Sequence, residues 1–138
     1  MAEPRYRLLH VNTDEDVLVL TIAVQQVEGD AVAHELQREL LAATADSKLS
    51  RIIVDFQNVQ YISSVAFSPL LSLRRQLSAV EGRLMVCGLT KLVGDIFYTT
   101  KMVDPTGKFS APFEMQPDVP RALHAMKSPP TKAPESAE

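Results

Sequence analysis

The sequence predicts a single α/β domain with a mixed sheet of four to five strands, and three observations carry that reading. Ile52-Ile53-Val54 and Leu84-Met85-Val86-Cys87 are apolar runs too short for helices, as expected of central strands covered on both faces. Between them, Ala66, Leu70, Leu73, Leu77 and Val80 fall on one face of a helix at about 100° per residue, while Arg74 and Arg75 point to water. Strand, amphipathic helix, strand is the pattern of a parallel crossover, almost always right-handed. Nearer the N-terminus, Tyr6 to Val11 and Val17 to Val24 flank NTDED, whose Asn, Thr and Asp favour a turn, so this stretch predicts an antiparallel hairpin.

The remaining elements follow in order. Gly29 and Asp30 stop the second strand and cap a helix in which Val32, Leu36 and Leu40 recur on one face, with Glu35, Arg38 and Glu39 on others. After the strand RIIVDF comes a polar turn, QNVQYISS, and then the helix SPLLSLRRQLSAVE. Two starts fit that helix. With Ser64 as N-cap, Pro69 is the fifth helical residue and bends the helix; with Ser68 as N-cap, Pro69 takes the first helical position, which it favours. Thr90 caps a third helix patterned on Val93, Ile96, Phe97 and Thr100, which Asp104, Pro105 and Gly107 end. A short strand near Phe109 to Met115 and a helix near Asp118 to Met126 complete the domain, Pro120 being tolerated in a first turn. The domain is expected over residues 6–126, between a flexible stretch 1–5 and a disordered tail 127–138 that holds three prolines and little apolar surface.

Composition narrows the function. A chain of 138 residues buries a proper core without disulfides or a metal. The one cysteine, Cys87, excludes an internal disulfide framework, fits a reducing compartment and reads as a small buried hydrophobe. MAEPRYRLLH lacks the apolar stretch of a signal peptide and no segment approaches the roughly 20 apolar residues of a membrane span, so a cytoplasmic protein is expected. A net charge of −3 with scattered Lys and Arg offers no stripe for a phosphate backbone, which argues against direct nucleic-acid binding. His10, His34 and His124 are far apart and without ligand-spaced Cys or carboxylates, so no metal or other cofactor is expected. The glycines at 29, 82, 88, 94 and 107 form no phosphate loop, and Ser64 lacks the flanking glycines of a nucleophile elbow. A binding protein is expected, not an enzyme.

The joint between strand and helix carries two adjacent hydroxyls, Ser63 and Ser64. By themselves they read as capping groups, and Asp55 or Asn58 as the start of an Asx turn. On a helix running on from Ser64, the outward direction holds Ser64, Ser68, Leu71, Ser72 and Arg75, a combination suited to a partner surface.

These residues resemble the STAS domain, the fold of bacterial anti-sigma factor antagonists. The resemblance rests on Val54-Asp55-Phe56, Tyr61-Ile62, Ser63-Ser64-Val65-Ala66-Phe67 and Leu70-Leu71, then on Gly82 to Gly88, and on Ile96-Phe97, Thr100, Lys101, Met102 and Asp104. It implies helices packed mainly on one face of the sheet and a partner switch. In that scheme the domain binds an anti-sigma factor serine kinase of the GHKL type, and phosphorylation of the serine at the joint releases it. Ser64 matches that serine, with Ser63 the alternative, and the partner surface is Ser63, Ser64, Ser68, Leu71, Ser72 and Arg75. Three positions depart from the family pattern: Ser63 stands where Asp is usual, and Ala66 and Lys101 where Gly is usual. The alternative is a non-phosphorylated accessory subunit of a transporter or a stressosome-like scaffold. Oligomeric state is left open.

Overall fold

The structure is a computed structural model that describes residues 6–103 and 111–127. Strands β1 (Leu9–Asp14) and β2 (Val17–Ile22) form the expected hairpin, with Leu9 opposite Ile22 and Asp14 opposite Val17. The turn is shorter than NTDED. Asn12, Thr13 and Asp14 extend β1, because pairing with the apolar β2 satisfies their backbone while their side chains stay in water, and only Glu15 and Asp16 turn, Glu15 at a positive φ of 56°.

At its start the hairpin is trimmed. Tyr6, Arg7 and Leu8 turn towards helix α1 (Asp30–Ser47), where the Glu39 carboxylate accepts the backbone N–H groups of Arg7 at 3.0 Å and Leu8 at 2.8 Å, while the Leu8 carbonyl still accepts the Ala23 N–H at 2.8 Å. Tyr6 donates its hydroxyl to Asp46 at 2.7 Å. Glu39 is therefore fully buried and not on an outer face as its position in the helical pattern suggested. Burial pushes its pKa up, neighbouring Glu35 pushes the same way, and the two N–H donors oppose them. Gly29 precedes α1 at φ 88° without a side-chain cap; Asp30 is the first helical residue, its charge at the positive end of the helix dipole.

Strands β4 (Arg51–Asp55) and β6 (Arg83–Cys87) are central and parallel, as their apolar runs require. With β7 (Glu114–Gln116) the sheet runs β1-β2-β4-β6-β7, antiparallel only at the β1 hairpin. The helix α2 (Phe67–Ser78) links β4 to β6, and α3 (Lys91–Thr99) and α4 (Val119–Met126) follow. Leu36 and Leu40 of α1, Leu70, Leu73 and Leu77 of α2, and Val93 and Phe97 of α3 share one core with Leu18, Leu20, Ile52, Val54, Leu84 and Val86 of the sheet. On the other face Ala122 and Met126 of α4 cover Val17, Val19, Ile53, Met85 and Cys87. Each fully buried aliphatic side chain of this kind contributes about 1.5–3 kcal/mol.

Several boundaries differ from the sequence reading. Val80 is 63% exposed, because the chain leaves α2 after Ser78 and closes through Glu81 at φ 56°. Thr90 caps α3 as expected, its Oγ1 accepting the Val93 N–H at 3.3 Å, but α3 ends at Thr99 and Thr100 is exposed. The stop is a Schellman turn in which Lys101 N–H donates to Tyr98 and Met102 N–H to Phe97, with Lys101 at φ 63°. Asp104, Pro105 and Gly107, expected to end this helix, lie outside the described residues. The last strand starts at Glu114, residues 109 and 110 of the expected span also lying outside, and Asp118 caps α4 by accepting the Arg121 N–H at 3.0 Å. The expected flexible stretch 1–5 lies outside the described residues, as does the tail beyond Lys127.

Candidate functional site

The stretch read as one polar turn contains a strand. Tyr61-Ile62 forms β5, which pairs in parallel with β3 (Gln26–Val27) in a small second sheet. Val27 and Ile62 are both buried, and the Ser63 N–H donates to the Val27 carbonyl at 3.0 Å, fixing the backbone immediately before Ser64. The only sequence signal for this ribbon is two isolated apolar residues in polar surroundings, too short for a periodicity.

The helix start matches neither expected alternative. Ser64–Ala66 form a 3-10 turn with Ser63 extended before it, and α2 then begins at Phe67. Neither Ser63 nor Ala66 makes a side-chain capping bond. Hydrophobic anchoring replaces the cap: Ala66 is 1% exposed, and the Phe67 ring packs edge-on against Phe97. Pro69 is the third residue of α2, within the first turn, where a missing N–H costs nothing to the helix ladder.

The two serines are differently placed. Ser64 is exposed, whereas the Ser63 Oγ is buried and finds no hydrogen-bond partner among the described residues. Ser68 and Arg75 are exposed further along α2. Leu71 and Ser72 are half-buried, Leu71 against the core and Ser72 with its hydroxyl 3.3 Å from Gln37 Oε1 of α1. The surface expected from the helical pattern thus presents Ser64, Ser68 and Arg75 outright, and Leu71 and Ser72 only in part.

Behind the joint, Asp55 ends β4 fully inside the protein. Its Oδ1 accepts the Gln57 N–H at 3.0 Å, the expected Asx turn, and its Oδ2 lies 3.4 Å from the Thr21 hydroxyl. Burial raises its pKa above the ordinary 3.8, and the Gln57 and Thr21 hydrogen bonds pull the other way. The Cys87 thiol, 3.9 Å from Asp55, is pushed up to about 12, chiefly by burial, and stays protonated. Asp55 also lines a groove of about 380 Å³ beside Val119 and Leu123 of α4. Among the described residues no His, Cys, Asp or Glu group is placed to hold a metal ion, and no helix is long and apolar enough to cross a membrane.

A family model for the STAS domain matches residues 10–114. The chain belongs to the STAS domain family. Over 79 residues this STAS domain is 34% identical to a protein of Bordetella bronchiseptica that bears the name of an anti-sigma factor antagonist, BtrV, covering 57% of the chain and 67% of that relative. The crystal structure of an anti-sigma factor antagonist from Mycobacterium paratuberculosis superposes with a TM-score of 0.71 at 20% identity, over 87% of this chain and 93% of that one. The phosphorylated form of the Bacillus cell fate determinant SpoIIAA gives 0.59 at 13% identity, over 87% and 99%. At these identities the two structures show a shared fold. Within it Lys101 takes a left-handed conformation at φ 63°, and the Ala66 methyl is buried.

Proposed function

We propose that this STAS domain is an anti-sigma factor antagonist whose Ser64 surface docks on an anti-sigma serine kinase in the cytoplasm, and that phosphorylation of Ser64 ends the docking. The observation that carries the reading is the contrast between the neighbouring serines: Ser64 is exposed, while the Ser63 hydroxyl is buried. A kinase reaches the first and not the second.

The local electrostatics favour a modified Ser64. A phosphoryl group there adds roughly −1.5 to −2 charges on the exposed 3-10 turn that leads into α2, on the side of the positive end of its dipole, so the fold tolerates it. A partner laid over Ser64, Ser68 and Arg75 has to bury or oppose that charge, and each 1.4 kcal/mol or so of the penalty weakens binding about tenfold. The relatives' names as anti-sigma factor antagonists support the partner class. Calorimetric titration of the cognate kinase with the parent and with Ser64→Glu tests the reading. It expects at least about tenfold weaker binding for the variant, and equal affinities would refute it.

A further inference from the structure

The groove between β1 and α4 has a carboxylate at each end and an apolar stretch between them. Asp14 stands opposite Val17 and Asp55 beside Thr21, four residues further along β2, so the backbones of the two acids are roughly 15 Å apart on one face of the sheet. Val19 lies halfway along that path, opposite Asn12, and Val119 and Leu123 of α4 supply more apolar surface. At about 380 Å³ the groove has the size of a small-molecule site, and none of its lining residues is basic.

The deep end holds an unmatched charge. Asp55 is 1% exposed, yet only neutral groups reach it: the Gln57 N–H at 3.0 Å, the Thr21 hydroxyl at 3.4 Å and the Cys87 thiol at 3.9 Å. A buried carboxylate is ordinarily paired with a cation. Its Oδ2, with the long contact to Thr21, keeps a place for a charged donor. Asp14, at the other end, is exposed and forms no ion pair among the described residues. The arginines on this side of the sheet are engaged elsewhere, Arg51 by Asp16 at 3.3 Å and Arg121 by Asp118 at 3.7 Å.

We propose that this groove binds a small aliphatic polyamine, one terminal ammonium on Asp55 and the other on Asp14, with the methylene chain over Val19, Val119 and Leu123. The site is separate from Ser64 and does not rest on the switch. The ion pair at Asp55 is shielded from water and is the stronger anchor, whereas the one at Asp14 is screened and adds little.

Calorimetric titration of the full chain with spermidine at low salt tests this, and a dissociation constant on the order of 100 μM is expected. Putrescine is too short to reach both acids and binds more weakly. Asp55→Asn is expected to weaken spermidine at least about tenfold and Asp14→Asn about two- to fivefold. Circular dichroism checks the fold of each variant. Should Asp55→Asn not fold, Asn12→Lys decides: it sets an ammonium on an exposed strand position in the groove and is expected to abolish binding. Absence of heat up to about 10 mM spermidine overturns the proposal. So does binding indifferent to Asp55→Asn or Asn12→Lys, or matched by magnesium ion at equal concentration, which would mark it as diffuse attraction to surface acids.

Discussion

The rings of Phe67 and Phe97 meet edge-on, their centroids 5.1 Å apart and their planes at 87°, at the first residue of α2. Phe97 also receives Phe56 at 5.4 Å and Phe113 at 6.3 Å, so one ring of α3 ties the start of α2 to the end of β4 and the approach to β7. With no side-chain cap at the joint, this packing holds the backbone that presents Ser64. Phe67→Ala is expected to destabilise the protein by about 3–5 kcal/mol, read from urea unfolding. A loss below about 1 kcal/mol would show that the joint is held by something else.

Gly88 is required by its surroundings. It sits at φ 72°, and a Cβ there would lie 2.5 Å from Asp55 Oδ1 and 3.0 Å from the Gln57 nitrogen. Gly29, at φ 88°, has open space around it. Gly29→Ala is therefore expected to cost only the backbone strain, about 1 kcal/mol, and Gly88→Ala about 2–3 kcal/mol because the Asp55 turn must also shift. Thermal melts of the two variants side by side give the comparison. Equal losses would mean that the close approach at Gly88 is relieved without cost.

Lys101 offers the opposite case, a side chain where the backbone favours none. As the left-handed residue of the Schellman turn that ends α3, it occupies the position for which glycine is preferred. Lys101→Gly is expected to change stability by no more than about 1 kcal/mol in either direction, the relieved strain being offset by the greater freedom of an unfolded glycine and by the loss of the lysine's own interactions. A loss above about 1 kcal/mol, read from urea unfolding, would show that the lysine's interactions outweigh the backbone strain.

Burial of Asp55 predicts a pH dependence. Its pKa in the folded protein is raised above 3.8, so between the two values the folded state binds more protons than the unfolded one. Stability from this group is accordingly highest below 3.8 and falls as pH rises through the folded value. Asp55→Asn keeps an oxygen for the Gln57 N–H and an amide that can donate to the Thr21 hydroxyl, without the charge. Relative to the parent, the variant is expected to gain stability as pH rises towards neutrality, in urea titrations at a series of pH values. A relative loss over that range would show that the ionised carboxylate stabilises the fold.

The sequence disclosed most of the fold because its periodicities are strong. The runs at Ile52 and Leu84 leave little choice but central strands, and the four-residue recurrence of Leu36 and Leu40 sets α1 on the core. What escaped depends on contacts distant in sequence. Glu39 looks like a surface glutamate until the chain at Arg7 and Leu8 folds back on it. The β3–β5 ribbon has two residues on each side, too few for any pattern. At the site, the two serines are chemically alike in the sequence, and their difference in burial arises only once Ser63 is tied to Val27 and Ala66 and Phe67 enter the core. The capping choices around Pro69 failed for the same reason: a buried aromatic anchor replaced the hydroxyl that local rules supply.

The most direct test of the Ser64 switch is site mapping. The protein is incubated with its cognate kinase and ATP, its intact mass is measured, and the modified peptide is fragmented. One phosphoryl group on Ser64, with Ser63 unmodified and no mass change in Ser64→Ala, is the predicted result. Modification at Ser63, or none at all from a kinase that binds the protein tightly, would contradict it.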